Sequence, residues 1–270
     1  MKPLFKRICW LLLFGMVVSC ATVPLTGRRQ LSLVNDAEIQ QQAALVYKDL
    51  LADSKTKVIN GNSQAQLVQR VGKNIAGAVT RFLKENGYGD QYAFDWEFNL
   101  IEEDQINAWC MPGGKVAVYS GILPVTKNEA GLATVMGHEV AHAIAKHSAE
   151  RMSQSIIAQA GGVAVDVATA EKSSTTRAVL STAYGLGGQL ALLSYSRNQE
   201  SEADRLGLVF MAMAGYDPHE AIGFWERMAQ AKQSQGGGAP PEFLSTHPSD
   251  ARRINNIQKL IPEAMGYYKK

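Results

Sequence analysis

His138, Glu139 and His142 form the pattern H-E-x-x-H, in a run from Glu129 to about Ala160 that has no proline and carries apolar residues at helical spacing. Residues four apart share one face of a helix, so the two imidazoles point the same way. Such a pair can hold a zinc ion, and a carboxylate beside the first histidine reaches a water at the metal rather than the metal itself. The chemistry within reach is hydrolysis of a peptide bond, with Glu139 as general base. A catalytic zinc centre uses three protein ligands and keeps one position open. The helix therefore needs a third ligand, a group to orient its histidines, and a surface that holds substrate.

Two residues compete to be that third ligand. His147 follows His142 by five residues, whereas the metzincin arrangement places a third histidine six residues on, across a glycine; here Ala145 stands in the glycine's place. On a continuing helix His147 lies about half a turn from the face of His138, which predicts a solvated histidine. Glu200 in Gln199-Glu200-Ser201-Glu202-Ala203-Asp204 fits better. Glu200 and Asp204 share a helix face, so one carboxylate can ligate zinc while the other accepts a hydrogen bond from a ligand histidine and fixes its tautomer. Glu202 lies about 200° round that helix and is expected to face solvent. His247 is a candidate donor to the oxyanion of the tetrahedral species, with Arg253 as a candidate helper. His247 could instead fill the open position of the zinc and gate access, or be a plain loop histidine. His219, after Asp217-Pro218, reads as structural or exposed.

The elements that must position these groups follow from periodicity and punctuation. Helices are expected from Asn35 or Asp36 to about Ala52, and from Ser63 to Glu85 with Leu67, Val71, Ile75, Val79 and Phe82 at helical spacing. Tyr92–Ile101 alternates apolar and polar residues as a half-buried strand does. Ile106–Met111 and Lys115–Ser120 read as two short strands around a turn at Pro112-Gly113-Gly114. Further helices are expected over Thr176–Tyr195, weakened by three glycines, then Asn198–Ala214, Asp217–Gln233 and Ser249–Leu260. Ser54–Asn62 reads as a polar loop, Gly161–Thr176 as a helix end or loop, and Gln235–Pro241 as a flexible loop. The fold class is α+β, mainly helical, with a small sheet beside the H-E-x-x-H helix. No internal repeat is evident, and residues 35–270 read as one domain.

The 270 residues suffice for a sizeable core, and a formal net charge of +2 gives no reason to propose nucleic acid as a partner. The first residues differ from the rest. Lys2, Lys6 and Arg7 precede an apolar stretch, Ile8–Val18, too short to span a bilayer comfortably, which ends in Val17-Val18-Ser19-Cys20. That ending resembles a bacterial lipobox. It implies a signal peptide over residues 1–19, lipidation at Cys20, and a tether over residues 20–34. The expected location is the periplasmic side of a Gram-negative outer membrane, held by the lipid anchor. Cys110 would then be the one remaining cysteine, so no intramolecular disulfide is expected, and it reads as a small buried residue in a strand.

Taken in order, Asn107-Ala108, Pro112-Gly113-Gly114, His138-Glu139-x-x-His142, Ser196-Arg197-x-x-Glu200-x-Glu202-Ala203-Asp204 and Thr246-His247-Pro248 resemble the HtpX and CAAX-prenyl-protease family of gluzincin metallopeptidases. Thr22-Val23-Pro24-x-Thr26-Gly27-Arg28 and the lipobox are similar to its soluble bacterial lipoprotein branch. The resemblance covers nearly all of the chain beyond the leader. It implies an endopeptidase with one zinc ion per chain on His138, His142 and Glu200, Glu139 as base, Asp204 in support, and a functional role at His247.

The expected function is zinc-dependent cleavage of unfolded or misassembled envelope proteins, with the extended substrate added to the sheet edge, where backbone pairing tolerates many sequences. A second reading is a chaperone-like or assembly protein that binds client strands and rarely cuts them. A structural zinc domain is a weaker third, because it gives Glu139 no role.

Overall fold

The computed structural model describes residues 20–234, 241–248 and 251–268. The leader over residues 1–19, the glycine-rich residues 235–240 and the helix start expected at Ser249 lie outside them. In chain order the elements are β1 (Cys20–Thr22), β2 (Arg29–Leu31), α1 (Asp36–Ala52), β3 (Val58–Ile59), α2 (Ser63–Glu85), β4 (Glu97–Ile101), β5 (Ala108–Met111) and β6 (Lys115–Tyr119). They continue with α3 (Leu123–Thr126), α4 (Glu129–Ile144), α5 (His147–Thr169), α6 (Ser174–Met213), α7 (Glu220–Ser234), α8 (Glu242–Thr246) and α9 (Ala251–Met265).

The chain forms two compact units. One joins the residues up to Asp36 to Lys146–Arg197; the other joins Ala37–Ala145 to Asn198–Lys270. In the first, β1 and β2 pair antiparallel. Arg28 makes two hydrogen bonds to the buried carboxylate of Glu150, at 2.8 and 3.0 Å, and the Leu33 amide donates to Ser153 Oγ at 2.9 Å. The segment expected as a plain tether is thus a hairpin pinned to α5. Val163, Val167 and Val179 on α5 and early α6 are exposed. Among the described residues no helix is long and apolar enough to cross a membrane.

The second unit is built on a four-stranded sheet in the order β3-β4-β6-β5. β4 and β6 run parallel, while β3 and β5 pair antiparallel at the two edges. Its interior is apolar: Val68, Val71, Ile75 and Val79 of α2, Leu100 of β4, Val116 and Val118 of β6, and Leu132, Met136 and Val140 of α4 are all buried. α2 and α4 start on asparagine caps, where Asn62 Oδ1 accepts from the Ala65 amide at 2.8 Å and Asn128 Oδ1 from the Gly131 amide at 2.7 Å. Gly113 and Gly114, at φ of 88° and 92°, make the β5–β6 turn that residues with a Cβ rarely form. That turn leaves β5 short and at the sheet edge beside α4.

Several elements differ from expectation. The run from Glu129 to Ala160 breaks because Lys146 takes a left-handed conformation, φ 52°, and α5 starts anew at His147. The two helices expected between Thr176 and Ala214 are one, α6; helical neighbours carried the chain through the glycines that weaken local propensity. β4 begins at Glu97, and Tyr92, Phe94, Trp96 and Phe98 stack in series, with Phe94 and Trp96 centroids 4.5 Å apart. β3 falls in the stretch expected as a polar loop, and α8 had no clear sequence signal beyond Pro241 at its N-terminus.

The sheet rests on α2 through one close approach: a Cβ added to Gly72 would lie 2.3 to 2.7 Å from three atoms of the Phe98 ring. Gly72→Ala therefore forces that ring to move inside a packed core. The expected loss is about 1–3 kcal/mol, read as a lower urea midpoint at unchanged slope.

Candidate metal centre

α4 presents His138 and His142 one turn apart, as the four-residue spacing requires. Their Nε2 atoms are 3.1 Å apart. Residues 198–213 of α6 bring Glu200 against them: Oε2 lies 3.3 Å from His138 Nε2 and Oε1 lies 3.4 Å from His142 Nε2. His247, just after α8, completes the group. Its Nδ1 is 3.2 Å from His138 Nε2 and 3.0 Å from Glu200 Oε2. One ligand atom from each of these four residues lies within 4.8 Å of every other, and the first three residues are buried.

A metal ion fits this group. Bonds of about 2.0–2.1 Å to nitrogen and oxygen give a tetrahedron with edges of roughly 3.3–3.4 Å. The separations above, 3.0 to 3.4 Å, are close to that figure. Ring nitrogens that face one another in a buried space compete for the same protons, whereas a shared cation satisfies all of their lone pairs. The donor set, imidazole nitrogen and carboxylate oxygen, suits zinc among the divalent metals of borderline softness.

Asp204, one turn beyond Glu200, reaches behind His138, with Oδ1 at 3.0 Å from its Nδ1. That contact holds the ring with Nδ1–H toward Asp204 and Nε2 toward the donor group. Asp204 is held in turn by Arg253, whose Nε and Nη2 donate to its two oxygens at 2.9 and 2.7 Å. Arg253 Nη1 donates to the carbonyls of His247 and Pro248 at 3.2 and 3.0 Å, and the guanidinium stacks 3.6 Å above the Trp225 ring. Arg253 therefore links the His247 loop to the carboxylate that aims His138. Trp225 and Phe243, which sequence reading did not single out, pack edge-on against the His138 ring and keep this side of the group dry.

Electrostatics follow from burial and pairing. Burial opposes charge on His138, but hydrogen bonds to Asp204 and Glu200 outweigh it and raise its pKa to about 9. Burial also opposes charge on Glu200, yet contacts with His138, His142 and His247 hold its carboxyl far below the usual range. Asp204 is desolvated too, and the Arg253 charge and the His138 contact keep it lowered.

Glu139 differs, because burial raises its pKa and the nearby His247 and His138 only partly counter that. Its carboxylate faces the backbone of Cys110 in β5, which also acts to lower the pKa. Its Oε1 lies 3.3 Å from His247 Nε2, without hydrogen-bond geometry, and has no hydrogen-bond partner among the described residues. In the β5–β6 ladder the Tyr119 amide bonds the Asn107 carbonyl, so by alternation Ala108 and Cys110 turn their peptide groups to the outer edge. The base candidate thus stands where the sheet edge meets the donor group.

Other residues are placed differently from expectation. His147 is fully buried, because the break at Lys146 re-aims it; it is not in the donor group. Glu202 is buried too, at 8% exposure, since Gln199, Glu200, Ala203 and Asp204 around it are also covered and an angular offset on this turn does not lead to solvent. His219 is exposed and pairs with Asp217 at 2.7 Å. Cys110 is half-buried in β5, and burial pushes its thiol pKa well up, away from nucleophilic use.

Comparison with known proteins bears on both the family and the compartment. Residues 62–261 match the profile of peptidase family M48. The chain is 34% identical to the "Mitochondrial metalloendopeptidase OMA1" of Schizosaccharomyces pombe, over 97% of this chain and 75% of that protein. It is 39% identical to the protein of the same name from Saccharomyces cerevisiae, over 64% of this chain and 49% of that one. It is also 34% identical to the "Beta-barrel assembly-enhancing protease" of Yersinia pestis, over 63% of this chain and 36% of that protein. The chain thus spans about half, or less, of the length of several curated relatives it matches. The expected location, lipid-anchored at the periplasmic face of a Gram-negative outer membrane, is overturned, because the relatives matched over most of the chain are named as mitochondrial proteins of eukaryotes. With three quarters of the sequence matched by its profile, the chain belongs to peptidase family M48 and is a metalloprotease.

Proposed function

We propose that this chain is a zinc-dependent endopeptidase that cleaves extended or unfolded polypeptides laid along the outer edge of β5. The observation that supports this most is the meeting of three features: a three-residue donor set from α4 and α6, a buried carboxylate with one oxygen that has no hydrogen bond among the described residues, and a sheet edge that faces that same carboxylate. His138, His142 and Glu200 hold the ion. When bound, zinc supplies Lewis acidity, which polarises the scissile carbonyl and lowers the pKa of water.

The remaining work belongs to side chains. Glu139 takes a proton from the attacking water as its oxygen bonds to the carbonyl carbon. It hands that proton to the departing amide nitrogen as the C–N bond breaks. Burial raises its pKa, the direction that strengthens it as a base. Asp204, fixed by Arg253, keeps His138 aimed. Substrate pairs its backbone with the outward carbonyls of Ala108 and Cys110, since the Ala108 amide already donates to Asn107 Oδ1 at 2.9 Å and the Cys110 backbone faces Glu139. Such pairing favours unfolded chains over folded ones.

A second reading has one observation behind it. His247 stands inside the donor group rather than beside it, so it serves as a fourth ligand at rest, and cutting is conditional on its leaving. A protein in that resting state binds client strands and cuts few of them.

Purified Glu139→Gln and His142→Ala proteins test the assignment with unfolded casein as substrate. Glu139→Gln keeps zinc and loses hydrolysis by roughly 10²–10⁴-fold, whereas His142→Ala loses both. Full casein digestion by Glu139→Gln would remove Glu139 as the base. Casein binding without cleavage by zinc-loaded wild type would favour the client-binding reading.

The metal-free protein carries its own pH signature. The folded pKa of His138, about 9, lies above its ordinary value of 6.5. Stability from its pairing with Asp204 and Glu200 is therefore fully present below pH 6.5 and is lost as pH rises through about 9. Urea midpoints of chelator-treated protein should fall over that interval. Zinc affinity should rise over the same interval, because the ion needs the deprotonated ring.

A further inference from the structure

We propose that Gly207 of α6 and Gly137 of α4 are positioning residues that set the helix spacing at which Glu200 and Asp204 reach His138. The inference rests on the metal reading above and names what holds that centre at its working distance.

The two helices touch through their backbones at this point. A Cβ on Gly207 would lie 2.9 Å from the His138 nitrogen, 3.0 Å from its Cα and 3.0 Å from the Gly137 carbonyl carbon. A Cβ on Gly137 would lie 2.9 Å from the Gly207 oxygen. These neighbours are main-chain atoms, so no side-chain rotation relieves the contact, and the helices themselves must separate. Helix axes ordinarily pack about 8–10 Å apart, and glycine at the crossing removes the groups that hold them there.

The crossing lies in register with the site. Asp204 and Glu200 precede Gly207 by three and seven residues, which puts all three on one face of α6. On α4, His138 directly follows Gly137. Farther along, Thr134 Oγ1 meets Met211 Sδ at 3.7 Å, so contacts ascend α4 as they descend α6. The separation of His138 from Asp204 (3.0 Å) and from Glu200 (3.3 Å) is therefore set one turn away, where the backbones meet. Metal sites tolerate deviations of only about 0.2 Å in ligand distance, less than the shift an inserted methyl group demands. Glycine weakens a helix interior relative to alanine, so local propensity does not explain either residue here.

The test uses the full chain with Gly207→Ala, Gly137→Ala and, as control, Gly77→Ala in α2, where a Cβ meets only the Arg81 guanidinium, at 3.5 Å. Three quantities are read: zinc affinity by chelator competition, the visible spectrum of the cobalt(II)-loaded protein, and urea unfolding of the metal-free protein. Gly207→Ala should weaken zinc binding by roughly 10- to 100-fold and alter the cobalt spectrum while the metal-free protein still unfolds cooperatively. Gly77→Ala should leave affinity and spectrum unchanged. A folded Gly207→Ala protein with wild-type zinc affinity and cobalt spectrum would overturn the proposal. Should Gly207→Ala not fold, Gly137→Ala, whose methyl group meets the Gly207 carbonyl oxygen first, at 2.9 Å, decides by the same readouts. Wild-type protein that takes up neither zinc nor cobalt would instead refute the metal reading, a result separate from loss in the variants.

Discussion

Everything at this site answers to one electrostatic constraint: two carboxylates, an imidazole pair and a guanidinium share a space from which water is largely excluded. His138, His142, Glu200, Asp204 and Arg253 are each under 9% exposed. Charges buried together are costly unless each finds a partner, and removing one strands the others. The chain meets that demand by ordering the partners. Arg253 neutralises Asp204, Asp204 aims His138, and Glu200 faces the two imidazoles, an arrangement to which a divalent cation adds the charge the ligands lack. Glu139 alone keeps a buried oxygen without a hydrogen-bond partner among the described residues, which sets the carboxylate proposed as base apart from those that are paired.

The fold explains how such a cluster can be held. α4 is buried on nearly every side, so its histidines rest on a helix that cannot shift without disturbing α2, the sheet and α6. The glycine turn at Gly113-Gly114 ends β5, the edge strand beside this helix, and the Cys110 backbone faces Glu139 there. Trp225 and Phe243 close the far side with aromatic surface, which strengthens each polar contact behind it by excluding water. Catalytic geometry of this kind depends on rigid elements more than on loops. Of the four donor residues, His247 alone is delivered from outside a helix, at the end of α8.

Much of this was legible in the sequence, for reasons that differ by residue. The four-residue spacings of His138 with His142 and of Glu200 with Asp204 encode shared helix faces directly, and the structure brings these residues together. α2 was legible over its whole length, because its apolar stripe is regular. What failed was inference from angle alone. Glu202 looked solvent-facing, yet its turn of helix is enclosed; His147 looked solvated, yet a left-handed Lys146 restarts the helix and buries it. The place of Arg253 was not legible either, since a basic residue near the C-terminus carries no mark of the carboxylate it will meet. The close crossing at Gly137 and Gly207 is likewise a tertiary fact, which composition records only as two unfavourable helix residues. Compartment was read from a short leader, and the relatives corrected it.

The central claim is that two helices distant in sequence hold one ion through imidazole and carboxylate. X-ray absorption at the zinc edge of the loaded protein tests it most directly. The expected result is a first shell of nitrogen and oxygen at about 2.0–2.1 Å with the scattering signature of imidazole rings. A shell of oxygen alone, or one containing sulfur, would contradict it.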